Sequence, residues 1–202
     1  MREQTVHAQF IFDNGFESTM TEEESDEHTY ALEGIAFGLT DGIICFLGLI
    51  VGLTKATSNP TLVVMGGIIG GIADAFGNSI GFYISQATER TIQIHQTREH
   101  GKATYIHSRK EVLMSGVFTF IATIIVLFIM LFPFAILDLW NAMVLAFIFG
   151  IIMAFVLGSY AGKIGGENAY KSGLKYACIT LAAAMISYVV GDLLRTYLQY
   201  TI

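Results

Sequence analysis

Two aspartates stand where carboxylates are costly. Asp41 lies in "FGLTDGIICFLGLIVGL", residues 37–53, and Asp74 in "GGIADAFGNSIGFYIS", residues 70–85. A carboxylate in the middle of an apolar membrane span costs about 2.5–3.5 kcal/mol on insertion scales. Neither stretch contains a Lys or Arg to neutralise it. Two such acids must hold protons or bind a cation, and a group that trades one for the other is what an antiporter needs. Asn78 follows Asp74 by one helical turn on the same face, and Thr40 and Ser79 add hydroxyl oxygen nearby.

For these residues to meet, helices must carry them to a common depth. Of the 202 residues, 53% are hydrophobic and only 14% charged, against roughly 25% charged in soluble domains. Mean hydropathy is +0.59. After Tyr30 most of the chain lacks the polar helix faces of a soluble helical protein. Five segments are long enough to cross a hydrocarbon layer of about 30 Å: 31–54, 61–87, 111–133, 138–161 and 172–198. Pro60 and Pro133 fit the boundaries of these spans. Lys175 and Asp192 bracket a short apolar core in the fifth, the weakest of the set. The expected fold is all-α and polytopic. A rise of 1.5 Å per residue puts both aspartates near mid-membrane, at similar depth on antiparallel neighbours.

Basic residues set the orientation. With the N-terminus inside, Arg2, Arg90, Arg98, Lys102, Arg109, Lys110, Lys163, Lys171 and Lys175 lie inside, leaving Lys55 and Arg195 outside. That asymmetry predicts N-in, C-out, with residues 88–110 as a cytoplasmic loop. Glu33 then falls near the cytoplasmic mouth. Glycines recur every four residues at Gly34/Gly38/Gly42, Gly48/Gly52, Gly66/Gly70, Gly67/Gly71 and Gly77/Gly81, a spacing that lets membrane helices approach closely. It predicts that the first two spans pack together, and that a second copy of the chain packs across a two-fold axis.

The first span, with an aspartate followed by glycine and small or apolar residues, resembles the first helix of the vacuolar iron transporter family. "GGIADAFGNSIGFYIS" is similar to that family's glycine-rich second helix. "SGLKYACITLAAAMISYVVGDLL", residues 172–194, looks like its last, with the Tyr188–Gly191 spacing. The likeness covers about residues 31–198. It implies five transmembrane helices, a homodimer with its pore on the two-fold axis, and proton-coupled export of Fe2+ or Mn2+, with Asp41 as the pore aspartate. The family's second-helix methionine is missing here, since that helix has no Met after Met65. Asn78 or Ser79 occupies the region, and harder oxygen ligands weaken any preference for iron over manganese. The long glutamate-rich cytoplasmic domain of many members is also absent. In its place a short, rather basic segment carries Glu89, His95, Glu99, His100, His107 and Glu111. His95/Glu99 and His107/Glu111 are i,i+4 pairs able to put two ligands on one helix face, with Gly101 turning the chain between them. A solvated helix extension would show the same spacing.

Residues 1–30 read as a cytoplasmic tail. Its acidic run Glu22, Glu23, Glu24, Asp26, Glu27 accounts for much of the net charge of −6. The tail is expected to be solvated and flexible, and it lacks the apolar core of a cleavable signal. Cys45 and Cys178 show no metal-ligand spacing to one another and read as small hydrophobes in packed helices. The metal candidates are therefore Asp41, Asp74, Asn78, Glu33, Glu89, His95, Glu99, His107 and Glu111, with Asp41 and Asp74 coupling protons. No prosthetic group is expected. The expected partners are divalent metal, membrane lipid and a second copy of the chain, without nucleic acid, in the plasma membrane of a prokaryote. Two other readings compete. An intramembrane aspartyl protease would use Asp41 and Asp74 as a dyad, although "LTDGI" and "IADAF" do not resemble protease motifs. A non-transporting scaffold would leave both acids unexplained.

Overall fold

A computed structural model describes residues 32–100 and 106–201. The acidic tail 1–30 and the expected turn at Gly101 lie outside the described residues. The structure is all-helical: α1 Leu32–Thr57, α2 Pro60–His100, α3 Arg109–Leu131, α4 Pro133–Ile136, α5 Leu139–Ile164 and α6 Ala169–Thr201. Five of these segments are long and apolar enough to cross a membrane, with α3 and α4 together forming the third. The fifth expected span, interrupted in sequence by Lys175 and Asp192, is one continuous helix.

Helix ends follow local chemistry. Asn59 Oδ1 accepts from the backbone N–H groups of Thr61 (2.9 Å) and Leu62 (3.3 Å), and Pro60 takes the first helical position of α2, where its missing N–H costs nothing. Ser108 opens α3 in a reciprocal capping box. Its hydroxyl accepts from Glu111 N (3.1 Å), and Glu111 Oε2 accepts from Ser108 N (2.7 Å). Pro133 does not simply end the third span. A turn at Phe132 separates α3 from α4, with Pro133 at the start of the short second piece.

The larger departure concerns residues 88–110. Their first half is not a loop, because α2 runs unbroken for 41 residues to His100, roughly 60 Å at 1.5 Å per residue. That is about twice the hydrocarbon thickness, so one end of α2 projects well beyond the membrane. Polar composition had suggested a loop there. The helix continues because no Gly or Pro stands between Gly81 and Gly101.

The bundle is built around α1, whose membrane window is 50% buried, more than that of any other span. On α1 the side chains of Ile43, Phe46, Leu47 and Ile50 are almost fully enclosed. Three separate seams meet along this helix. The Gly34/Gly38/Gly42 face lies on α3, not on α2: a Cβ on Gly34 or Gly38 would strike the backbone carbonyl of Ser115 or Thr119. Thr119 and Thr123 hydroxyls donate across that contact to the carbonyls of Gly34 (3.1 Å) and Gly38 (3.3 Å). Gly48 and Gly52 lie against Ser187 of α6. The α2 glycines Gly66 and Gly70 receive Leu53 and Leu49 of α1, so the first two spans are neighbours as expected, through this α2 pair and not through the glycines of α1. On α5, Ala142, Ala146, Gly150, Ala154, Gly158 and Gly162 form the buried stripe that seats the helix in the bundle.

Candidate metal centre

The α1–α2 seam is antiparallel and keeps its register over several turns. For every four residues forward along α1, the partner lies four residues back along α2. Glu33 meets Gln86, whose Nε2 donates to Glu33 Oε2 at 3.2 Å. One turn on, the rings of Phe37 and Phe82 stack with centroids 4.9 Å apart. Next, Asn78 Nδ2 donates to Asp41 Oδ2 at 2.7 Å. Cys45 follows on α1 and Asp74 on α2, and beyond them Leu49 and Leu53 close on Gly70 and Gly66. A four-residue step is slightly more than one helical turn, so the same narrow face of each helix stays on the seam.

Asp41, Cys45 and Asp74 each offer a ligand atom, and these atoms all lie within 4.8 Å of one another. Asn78 ties the carboxylates together, since its amide nitrogen also donates to Asp74 Oδ2 at 3.2 Å. Cys45 Sγ lies 3.6 Å from Asp41 Oδ2. Both aspartates and Asn78 are half-buried, and Cys45 is exposed on the bundle surface. Among the described residues, no Lys or Arg forms an ion pair with Asp41 or Asp74. The groups that join the carboxylates are neutral, the Asn78 amide between both and the Cys45 thiol beside Asp41. An amide can turn over and present Oδ1 instead of Nδ2, so the group that bridges two carboxylates can also add an oxygen to a cation between them.

Two expected oxygen donors turn elsewhere. The Thr40 hydroxyl donates to Ala36 O of its own helix at 2.7 Å, and Ser79 Oγ donates to Gly116 O of α3 at 2.9 Å. Cys45 was the residue that sequence reasoning missed. Read as a small hydrophobe, it has its sulfur beside Asp41. Its signal was the i,i+4 step from Asp41, which puts both on one helix face.

The His and Glu residues of 88–111 form pairs, not one cluster. His95 Nε2 lies 3.5 Å from Glu99 Oε1, both exposed on the projecting end of α2. His107 does not share a helix with Glu111, although the i,i+4 spacing had suggested that it would. It precedes α3, so no helix brings the two together, and Glu111 is engaged in the Ser108 cap. Instead His107 Nε2 is 3.6 Å from Glu89 Oε1. Its backbone is clamped to α2, with Arg90 Nε donating to His107 O at 2.8 Å and His107 N donating to Gln93 Oε1 at 3.0 Å. This clamp fixes the start of α3 against the extension of α2. Among the described residues, the intramembrane set is the one place where three such ligand side chains converge.

The sequence is 28% identical over 165 residues to an uncharacterized protein of Methanocaldococcus jannaschii, covering 77% of this chain and 86% of that protein. It also matches the VIT family over residues 32–111 and 89–192, which take in α1 to α5, most of α6 and the whole α1–α2 seam. The chain is thus an integral, multi-pass membrane protein of a group that moves metal ions, and it belongs to the VIT family, the vacuolar iron transporters.

Proposed function

We propose that the protein exports Fe2+ or Mn2+ from the cytoplasm in exchange for protons. The observation that carries this reading is the convergence of Asp41, Cys45 and Asp74 at one level of a membrane seam, without a basic partner among the described residues. In the N-in orientation that the basic residues favour, the projecting end of α2 and the Glu33–Gln86 layer face the cytoplasm. A cation meeting Glu33 reaches Asp41 after passing the stacked Phe37 and Phe82 rings. Deprotonated, the two carboxylates bind the dication, and Asn78 adds its carbonyl oxygen. Protonation from the outer side removes their charge and releases the metal. The protein then needs no prosthetic group, since metal and proton are both cargo. Its archaeal relative fits a prokaryotic plasma membrane as the site of action. A protease dyad is disfavoured by the family, whose members are transporters, and by the Asn78 amide that bonds both carboxylates.

The exposure of this seam favours a homodimer. Phe37 is 41% exposed and Cys45 is exposed, while ionisable groups in membranes face protein or water and not lipid. A second copy would cover them. Native mass spectrometry in mild detergent should show a dimer, and a monomer that transports at full rate would sink this part of the reading. The test of function is Fe2+ and Mn2+ uptake into proteoliposomes with an imposed pH gradient and an internal pH dye. Metal uptake with counter-movement of protons is expected, and absence of metal flux in folded protein would refute it.

The exposed His95–Glu99 pair is positioned to collect metal before Glu33 does. His95→Ala with Glu99→Ala should raise the apparent KM for metal several-fold and leave maximal flux mostly intact, as expected of a group that aids capture and not translocation. Loss of maximal flux in folded protein would show the pair to be essential. His107 and Glu111 belong to the clamp and the helix cap. Glu111→Ala should cost about 1 kcal/mol of stability through the lost cap, without a specific effect on KM.

A further inference from the structure

We infer that Cys45 is a sulfur ligand of the transported ion, and that the site therefore selects borderline-soft divalent metals such as Fe2+ over hard ones such as Mn2+. This rests on the transport reading above and narrows its substrate class. The sequence had suggested an all-oxygen site, because α2 has no Met beyond Met65. The structure supplies sulfur from the other helix instead. Cys45 stands one turn from Asp41 on α1 and opposite Asp74 on α2, in the layer where the seam turns from polar to aliphatic.

The distances suit an ion. Metal–oxygen bonds of about 2.0–2.2 Å and metal–sulfur bonds of about 2.3 Å set the ligand atoms of one tetrahedral ion roughly 3.3–3.7 Å apart. The Cys45 Sγ to Asp41 Oδ2 distance of 3.6 Å already has that value, and the three candidate atoms, all within 4.8 Å of one another, close on an ion with side-chain shifts of up to about 1 Å. The sulfur is also approachable. Cys45 is exposed at the mouth of an open, mostly apolar cleft of about 490 Å³ between α1 and α6, walled by residues such as Leu49, Leu53, Ile186 and Val190 and including neither aspartate. As the metal–sulfur bond forms, the S–H bond breaks and its proton passes to water. Two carboxylates, one thiolate and an amide oxygen make a mixed donor set. Thiolate favours Fe2+, Co2+, Zn2+ and Cd2+, while carboxylate and amide oxygen alone suit Mn2+ and Mg2+.

The experiment uses the full chain, purified in detergent, with Cys178→Ser to remove the other thiol. Co2+ is the spectroscopic probe, and Cd2+ and Mn2+ are the competitors in equilibrium binding. Co2+ should produce a sulfur-to-metal charge-transfer band that Cys45→Ser abolishes. The Cd2+/Mn2+ affinity ratio should fall in Cys45→Ser by at least about tenfold, the size of effect that even outer-shell partners of a metal can have. Asp41→Asn should weaken all three metals. Co2+ binding without the band, or an unchanged affinity ratio in Cys45→Ser, overturns the assignment of Cys45 while leaving the transport reading standing. Absence of Co2+ binding to the parent protein overturns the sulfur assignment as well. Metal flux that survives Asp41→Asn refutes the transport mechanism itself, whatever the spectra show.

Discussion

Asp41→Asn is expected to reduce metal-driven proton movement to background and to leave the protein folded. The substitution keeps size and shape, and its side-chain oxygen can still accept from Asn78 Nδ2, which donates to Asp41 Oδ2 at 2.7 Å in the native protein. What it removes is the charge. With one carboxylate gone, a dication at the seam loses half of its carboxylate neutralisation, and the exchangeable proton at that position is lost with it. Stability should hold or rise, because a half-buried carboxylate with no Lys or Arg ion pair among the described residues is replaced by a neutral amide. Asp74→Asn should impair flux less uniformly across metals, because Asp41 and Cys45 remain on α1. The measurement is uptake into proteoliposomes under a pH gradient with internal dye, beside a melting curve in detergent. Near wild-type metal uptake with near wild-type proton movement in Asp41→Asn would make the carboxylate structural.

Depth was the part of this site that the sequence disclosed. Asp41 and Asp74 lie at computable distances along two apolar spans, and antiparallel neighbours bring such positions level, so their common depth followed from helical rise, while their link through Asn78 needed the structure. Azimuth was harder. A one-residue change in register rotates a helix by about 100°, and no sequence pattern fixed the seam to the face of Glu33, Phe37, Asp41 and Cys45. Thr40 and Ser79 were near the site in sequence but lie off that face, bonded to backbone carbonyls. Cys45 lies on it, yet a single thiol in an apolar run has the composition of a packing residue. The His95/Glu99 and His107/Glu111 pairs show the same limit from another side. Identical spacing put both members inside one helix only for the first pair. For the second pair, Ser108 started α3 between its members.

The glycines carry the last prediction, because their spacing is uniform in sequence and their surroundings are not. Gly38 sits where α1 crosses α3. An added Cβ would strike the Thr119 carbonyl and approach Ala122 Cβ to 3.0 Å, and neither is the end of a flexible chain. Gly38→Val must therefore push α1 away from α3. That separation stretches the Thr119 and Thr123 hydrogen bonds to the Gly34 and Gly38 carbonyls and displaces Asp41, less than one turn along. Overpacking of this kind costs about 1–3 kcal/mol, and each kcal/mol lowers the melting temperature of a chain this long by about 2–4 °C. The melting temperature should fall accordingly, and metal flux should fall with it. Gly77 and Gly81 repeat the same four-residue step on α2, but a Cβ on either meets nothing within 4 Å inside one protomer. Gly77→Leu with Gly81→Leu should thus leave the monomer's melting curve within a few degrees of wild type. Both glycines flank Asn78 on α2, close to the exposed seam, and the proposed second copy would have to approach there. The double variant should therefore shift the protein from dimer to monomer in native mass spectrometry and lose flux without unfolding. A fully dimeric, fully active double variant would place the partner on another face, and an unchanged melting curve for Gly38→Val would mean that α1 and α3 are not held as closely as their backbone contacts require.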